Sequence, residues 1–98
     1  MRNPLDINKI DFAAQTLKIL AHPLRIQIVE FLEKGEQNVG AIQGYTRLQQ
    51  AVTSQHLKTM LNKGLLKKRR QRKFIFYFLH DDILKGIMNC IHDFRVEL

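Results

Sequence analysis

Ser54 with His56, and Cys90 with His92, are the pairs in this 98-residue chain that set a nucleophile near a base. Both pairs are two residues apart in stretches that read as helix, so their side chains leave the axis about 200° apart and do not meet. Neither has a carboxylate in sequence reach to orient the imidazole. No glycine-rich phosphate loop of the P-loop or dinucleotide type is present. His80, Asp82 and His92 are the candidates for a metal site, but no cysteine or regular ligand spacing supports them. The reading is therefore no catalytic residue, no metal and no cofactor. A single cysteine cannot close an internal disulfide, which fits a reducing cytoplasm.

The chemistry that remains is hydrogen bonding and charge. At helical spacing, Thr53, Leu57, Met60 and Gly64 fall on one side of the stretch after Gln49, while Ala51, Ser54, Gln55, Lys58 and Asn62 fall on the other. The first side is made to pack. The second is small, polar and cationic, without an acid, which suits a nucleic-acid groove. Net charge points the same way. The whole chain carries +7, yet between Gln37 and His80 there are nine cations and no acid. Those cations are Arg47, Lys58, Lys63, Lys67, Lys68, Arg69, Arg70, Arg72 and Lys73. Near-neutral flanks surround this cationic middle, which implies a polyanionic partner, most simply nucleic acid. The alternatives are a solvated basic surface, an anionic membrane or an acidic protein.

These residues need elements to hold them. Asp6 is a good N-cap for a first helix running to about Leu20, with Ile7, Ile10, Ala13, Ala14, Leu17 and Leu20 as its apolar stripe. Pro23 suits the first turn of a second helix, running to about Lys34 with Leu24, Ile28, Phe31 and Leu32 inward and Gly35 ending it. His22 reads as a helix-boundary residue. A short third helix follows over Val39–Thr46. The fourth begins at Gln49, a poor N-cap, so its start is expected to fray. Gly64 stops it in a left-handed conformation. Leu65–Arg69 and Lys73–Leu79 read as two strands joined at a tip of Arg70, Gln71 and Arg72. Asp81 or Asp82 caps a last helix whose Ile83, Leu84, Ile87, Met88, Ile91 and Phe94 recur at three- and four-residue steps.

The expected architecture is mainly α with a small β-hairpin, in the order ααααββα: a winged helix-turn-helix in one domain over residues 1–98. Residues 21–79 would form the nucleic-acid-binding core, and 1–20 and 80–98 would be dimerisation helices. Two amphipathic terminal helices are more than so short a chain can cover, so a homodimer is expected through Ile10, Leu17, Ile83, Ile87, Cys90, Ile91 and Phe94. The alternative is that both helices fold onto their own core. Cys90 beside that stripe is a packed residue or, across a dimer, a reversible intermolecular disulfide. No apolar run approaches the roughly 20 residues of a membrane span; the longest, Phe74–Leu79, is six. In that run Ile75, Tyr77 and Leu79 should face inward. Phe74, Phe76 and Phe78 then face outward and need cover, from the protein's own helices, a dimer partner or an apolar effector.

Three blocks of the chain resemble one family. The run Leu17-Lys18-Ile19-Leu20-Ala21-His22-Pro23-Leu24-Arg25-Ile26-Gln27-Ile28-Val29 is similar to the opening LkaLahptRlrIL of the ArsR-type bacterial regulators. The run Ser54-Gln55-His56-Leu57-Lys58-Thr59-Met60-Leu61-Asn62-Lys63-Gly64-Leu65-Leu66 is similar to their ShHLklLreaGLv. Lys68-Arg69-Arg70 through Phe76-Tyr77-Phe78-Leu79 is similar to their wing. The resemblance implies a dimeric winged helix that binds a double-stranded DNA operator, usually a repressor released by an effector. It places Gln50, Ala51, Ser54 and Gln55 at base edges, and Lys58, Lys67, Lys68, Arg69, Arg70, Arg72 and Lys73 at phosphates. A winged-helix module for protein or RNA is the alternative, which the acid-free polar side disfavours for protein.

The chain also departs from the family. Arg72 replaces the wing glycine, implying a looser turn. The thiolate run ELCVCDL of the metal sensors is here Glu36-Gln37-Asn38-Val39-Gly40-Ala41-Ile42. The last-helix ligand pattern becomes Asp81, Ile83, Phe94 and Glu97, with both imidazoles lost. The effector is therefore left unidentified, and a metal is not expected.

Overall fold

In the computed structural model, which describes residues 3–80 and 82–97, Asp6 caps the first helix with a carboxylate that accepts from the Lys9 backbone N–H at 2.7 Å. That helix, α1, spans Ile7–Leu20. His22 starts α2 (Pro23–Leu32), its Nδ1 accepting from the Leu24 N–H at 3.2 Å. The helix stops two residues before the expected Lys34, and Gly35 follows at φ +137°, where side chains are strained. Asn38 caps α3 (Val39–Thr46), accepting from Ala41 N–H at 2.8 Å.

α4 spans Gln50–Asn62. Its end is a Schellman motif: Leu65 N–H reaches Met60 C=O, and Gly64 N–H reaches Leu61 C=O, both at 3.0 Å. Gly64 sits at φ +75°, in the left-handed region expected of it. The chain turns back as β2 (Leu66–Gln71) and β3 (Phe74–Leu79), then closes with α5 (Asp82–Asp93). Asp81, the other expected cap, lies outside the described residues.

The hairpin is not alone. Gln37–Asn38 form a two-residue strand, β1, antiparallel to β3, so the sheet is three-stranded in the order β1-β3-β2. The expected order ααααββα is thereby corrected to ααβααββα. The core lies where α2, α3, α4, α5 and the sheet meet: Ile28, Val29, Ile42, Leu57, Met60, Leu65, Leu66, Leu84 and Met88 are almost wholly buried. The radius of gyration is 14.8 Å and the long axis 50 Å. A rounded domain of this length would have about 13 Å. The described residues are therefore more extended than a sphere, 50 by 36 by 21 Å along their principal axes.

Candidate nucleic-acid interface

α4 divides as its spacing predicts. Thr53, Leu57 and Met60 are buried at 1% exposure or less, while Gln50, Ala51, Ser54, Gln55 and Lys58 are exposed. The Thr53 hydroxyl, a polar group in the core, donates to Gln49 C=O at 3.1 Å and so leaves no orphan. Gln49 makes no side-chain cap, as expected of a glutamine there. No acid lies on the helix, so the exposed side offers amide, hydroxyl and ammonium groups to whatever lies against it.

What seats the helix was not read from its sequence. His56 is buried, and its Nδ1 accepts from Arg25 Nε at 3.1 Å. The same guanidinium donates through Nη1 to Ile19 C=O at 3.2 Å, and the His22 ring meets His56 edge-on at 4.6 Å. Burial, with His22 and Arg25 adding to it, pushes the His56 pKa below the ordinary 6.5. The neutral ring is the form that can accept from a guanidinium. Ser54 is exposed and His56 buried, so the two share no site. The signal for this cluster is an Arg–His contact across 31 residues, and no local pattern carries that.

The wing is tighter than expected. Gln71 pairs with Phe74, leaving Arg72 and Lys73 as a two-residue turn in place of the expected tip at Arg70, Gln71 and Arg72. Arg72 takes φ +58°, the conformation glycine would supply, and its C=O accepts from Arg70 Nε at 2.9 Å. That hydrogen bond offsets part of the cost of a left-handed non-glycine residue. Register places Lys68 opposite Tyr77 and Arg70 opposite Ile75 on one face, with Lys67 opposite Phe78 and Arg69 opposite Phe76 on the other. Tyr77 and Leu79 pack on the core, but Ile75 is 39% exposed because the hairpin outruns the body. This corrects its expected inward place.

Arg69 is held apart from the other wing cations. Its guanidinium Nε lies 2.8 Å from both Glu36 oxygens, and that hydrogen bond keeps Glu36 below its usual carboxylate range. The same guanidinium covers the Phe76 ring at 5.0 Å, and Lys73 lies 5.6 Å over Phe74. Part of the cover for the outward phenylalanines is thus cationic and comes from the wing itself. Lys67, Lys68, Arg70, Arg72 and Lys73 are exposed, with no salt bridge among the described residues. Between α3, α4 and the wing runs a groove of about 410 Å³ that Ser54, Lys73 and Ile75 share.

The terminal helices keep apolar surface open. Ile10 is 45% and Leu17 52% exposed on α1. On α5, Leu84 and Met88 turn into the core, Ile83, Ile87 and Ile91 are half-buried, and Cys90 is exposed. Phe94, beyond the helix end, is 56% exposed. His92 is engaged by Glu33 at 3.0 Å, which raises its pKa. Among the described residues no group of three or more His, Cys, Asp or Glu side chains is arranged to hold a metal ion, and no helix is long and apolar enough to cross a membrane.

The same fold recurs in known proteins. A model of the bacterial regulatory protein arsR family matches residues 22–68, from the His22 boundary into β2. A biofilm growth-associated repressor from Agrobacterium fabrum is 34% identical, over 94% of this chain and 86% of its own. The chain belongs to the ArsR family of bacterial regulators. Among solved ArsR-like structures, the transcriptional repressor BigR from Xylella fastidiosa superposes with a TM-score of 0.84 at 30% identity, over 92% of this chain and 93% of its own. A homodimeric winged helix-turn-helix DNA-binding domain from Mycobacterium bovis superposes at 0.77 with 26% identity, over 94% of this chain and 87% of that fragment. The winged helix-turn-helix fold is thereby established, and the ArsR family is one of regulators, not enzymes.

Proposed function

We propose that the protein is a sequence-specific transcriptional repressor that binds double-stranded DNA as a homodimer, which places its work in the cytoplasm. The observation that carries this reading is the exposed, acid-free side of α4 beside a wing whose Lys67, Lys68, Arg70, Arg72 and Lys73 make no salt bridge among the described residues. Gln50, Ala51, Ser54 and Gln55 read base edges in the major groove; a glutamine amide can pair bidentately with adenine, and serine with several bases. Lys58, Lys67, Lys68, Arg70, Arg72 and Lys73 meet phosphates, which set register and affinity. Arg69, occupied by Glu36, braces the wing and contributes little to phosphate binding.

Dimerisation uses Ile10 and Leu17 of α1 with Ile83, Ile87, Cys90 and Ile91 of α5, and Phe94 beyond it. In this reading 1–20 and 80–98 are the pairing segments and 21–79 the DNA-binding core. The homodimeric relative and the open apolar surface support it. Two-fold symmetry then calls for an inverted-repeat operator with half-sites about one helical turn apart. Selection of bound duplexes from a random pool tests this. The expected product is an inverted repeat whose preference relaxes in Gln50→Ala and Gln55→Ala, while Lys68→Ala weakens binding to all duplexes alike. A selected pool without repeat symmetry, or two groups of variants that behave the same, would refute the division of roles.

A further inference from the structure

The inner surface between α1, the start of α2 and the C-terminal end of α4 holds a cleft of about 490 Å³, lined by Gln15, Lys18, Ile19, Arg25 and Lys63. A cleft of that volume is in the range of small-molecule sites. Three of its five lining side chains are cations, none is an acid, and the cations come from three different elements. A charge run on one helix does not produce this; the fold brings the cations together.

Arg25 is the fixed point. Its guanidinium is half-buried and tied at Nε to His56 and at Nη1 to Ile19 C=O. Neither partner is a carboxylate. A charge taken partly out of water gains from a counter-charge, yet Arg25, like the exposed Lys18 and Lys63 beside it, makes no salt bridge among the described residues. The nearest acid along α1, Asp11, is taken up by Gln15, whose Nε2 donates to it at 2.9 Å. The other end of that amide, Oε1, accepts from Lys63 Nζ at 3.4 Å and holds the ammonium at the cleft. The remaining nitrogen of Arg25, Nη2, has no hydrogen bond among the described residues. The site thus has a planar donor tied at two nitrogens, two ammonium groups, an amide and one apolar wall at Ile19. Guanidinium and ammonium donors set this way match the oxygens of a multiply charged anion.

We propose that this cleft binds a small multivalent oxyanion, a phosphate- or polycarboxylate-bearing effector, held by Arg25, Lys18 and Lys63. Its occupancy opposes DNA binding, because effector and duplex draw on one positive field and Arg25 is bonded directly to the helix that carries Gln55. The opposition is reciprocal by linkage. This second statement rests on the DNA-binding reading above; the anion site does not.

The test is a backbone and arginine side-chain NMR titration of the full chain with inorganic pyrophosphate, then with citrate, at ionic strength held constant with sodium chloride. The expected result is saturable shifts confined to Gln15, Lys18, Arg25 and Lys63 with at least one of the two anions, and the arm that saturates at lower concentration distinguishes phosphate from carboxylate. Lys18→Gln with Lys63→Gln, both exposed positions, should raise the midpoint at least tenfold, and Lys85→Gln on α5 should leave it unchanged. Shifts that do not saturate, that spread evenly over the wing cations, or whose midpoint ignores the double substitution would overturn the proposal. So would a double variant that loses duplex affinity and salt slope when the wild type binds neither anion, since the cleft would then be a DNA-backbone contact. Because the titration contains no DNA, its outcome is independent of the operator reading.

Discussion

α1 and α4 are helices of 14 and 13 residues, and they leave opposite kinds of surface in water. α4 buries Thr53, His56, Leu57 and Met60 and exposes glutamine, serine and lysine. α1 buries Thr16, Ile19 and Leu20 and leaves Ile7, Ile10, Phe12 and Leu17 between 45% and 74% exposed. The first is a complete element whose open side is already compatible with water and phosphate. The second leaves apolar area open, which forgoes about 25 cal/mol for each square ångström that a partner could cover. The contrast teaches that one chain carries both a surface already suited to water and polar groups and an open apolar one, which the proposed reading covers with a second copy.

The sharpest way to break the comparison is to truncate both helices at their leucines. Leu57→Ala should cost about 2–5 kcal/mol in urea unfolding, because a fully enclosed side chain leaves a cavity. Leu17→Ala should cost much less at concentrations where the protein is monomeric. Equal losses would show that α1 is as finished as α4. Next in size, Leu17→Asp should leave the monomer folded by circular dichroism and raise the dimer dissociation constant by about a hundredfold, or near 3 kcal/mol, as a carboxylate loses water in an apolar seam. Sedimentation equilibrium reads this directly.

The wing sharpens the comparison on the polar side. Arg70→Ala should flatten the salt dependence of duplex binding by about one unit. Arg69→Ala should change it far less, since Glu36 already neutralises that charge. The smallest effect is on pH. Glu33 raises the His92 pKa above 6.5, so this contribution to stability is complete below pH 6.5 and fades as pH rises through the folded value. Burial lowers that of His56, so its contribution is complete above pH 6.5 and fades as pH falls through the folded value. His92→Gln should therefore reduce the alkaline loss in urea midpoint, and His56→Gln the acid loss.

Much of this was legible in the sequence because it is local. Asp6 before Ile7, Gly64 after Lys63 and the two sides of α4 follow from caps and a 3.6-residue period, and the structure has them where the residues put them. What was not legible depends on distant partners. β1 is two residues long, too short to show alternation, and exists because Gln37 meets Tyr77 some 40 residues on. The Arg25–His56 contact is of the same kind. The turn at Arg72 and Lys73 starts two residues later than the expected tip because Arg72 stands at φ +58°, and side-chain sterics argue against arginine there. The cover of Phe76 and Phe74 is not legible in the apolar pattern because Arg69 and Lys73, which stand over them, are cationic and lie on the neighbouring strand or turn. For the candidate interface, charge and spacing named the residues, but only the fold separates Arg69, tied to Glu36, from Arg70, whose Nε bonds only the Arg72 carbonyl.

The central claim is that two copies, joined through α1 and α5, bring two α4 helices and two wings to one duplex. Sedimentation velocity of the protein with a fluorescent duplex taken from the selected pool, at low and moderate salt, tests it most directly. The expected result is a complex of two chains per duplex that dissociates steeply as salt rises and does not form with Leu17→Asp at the same concentration. A complex of one chain per duplex, or one of two chains that survives Leu17→Asp unchanged, would contradict it.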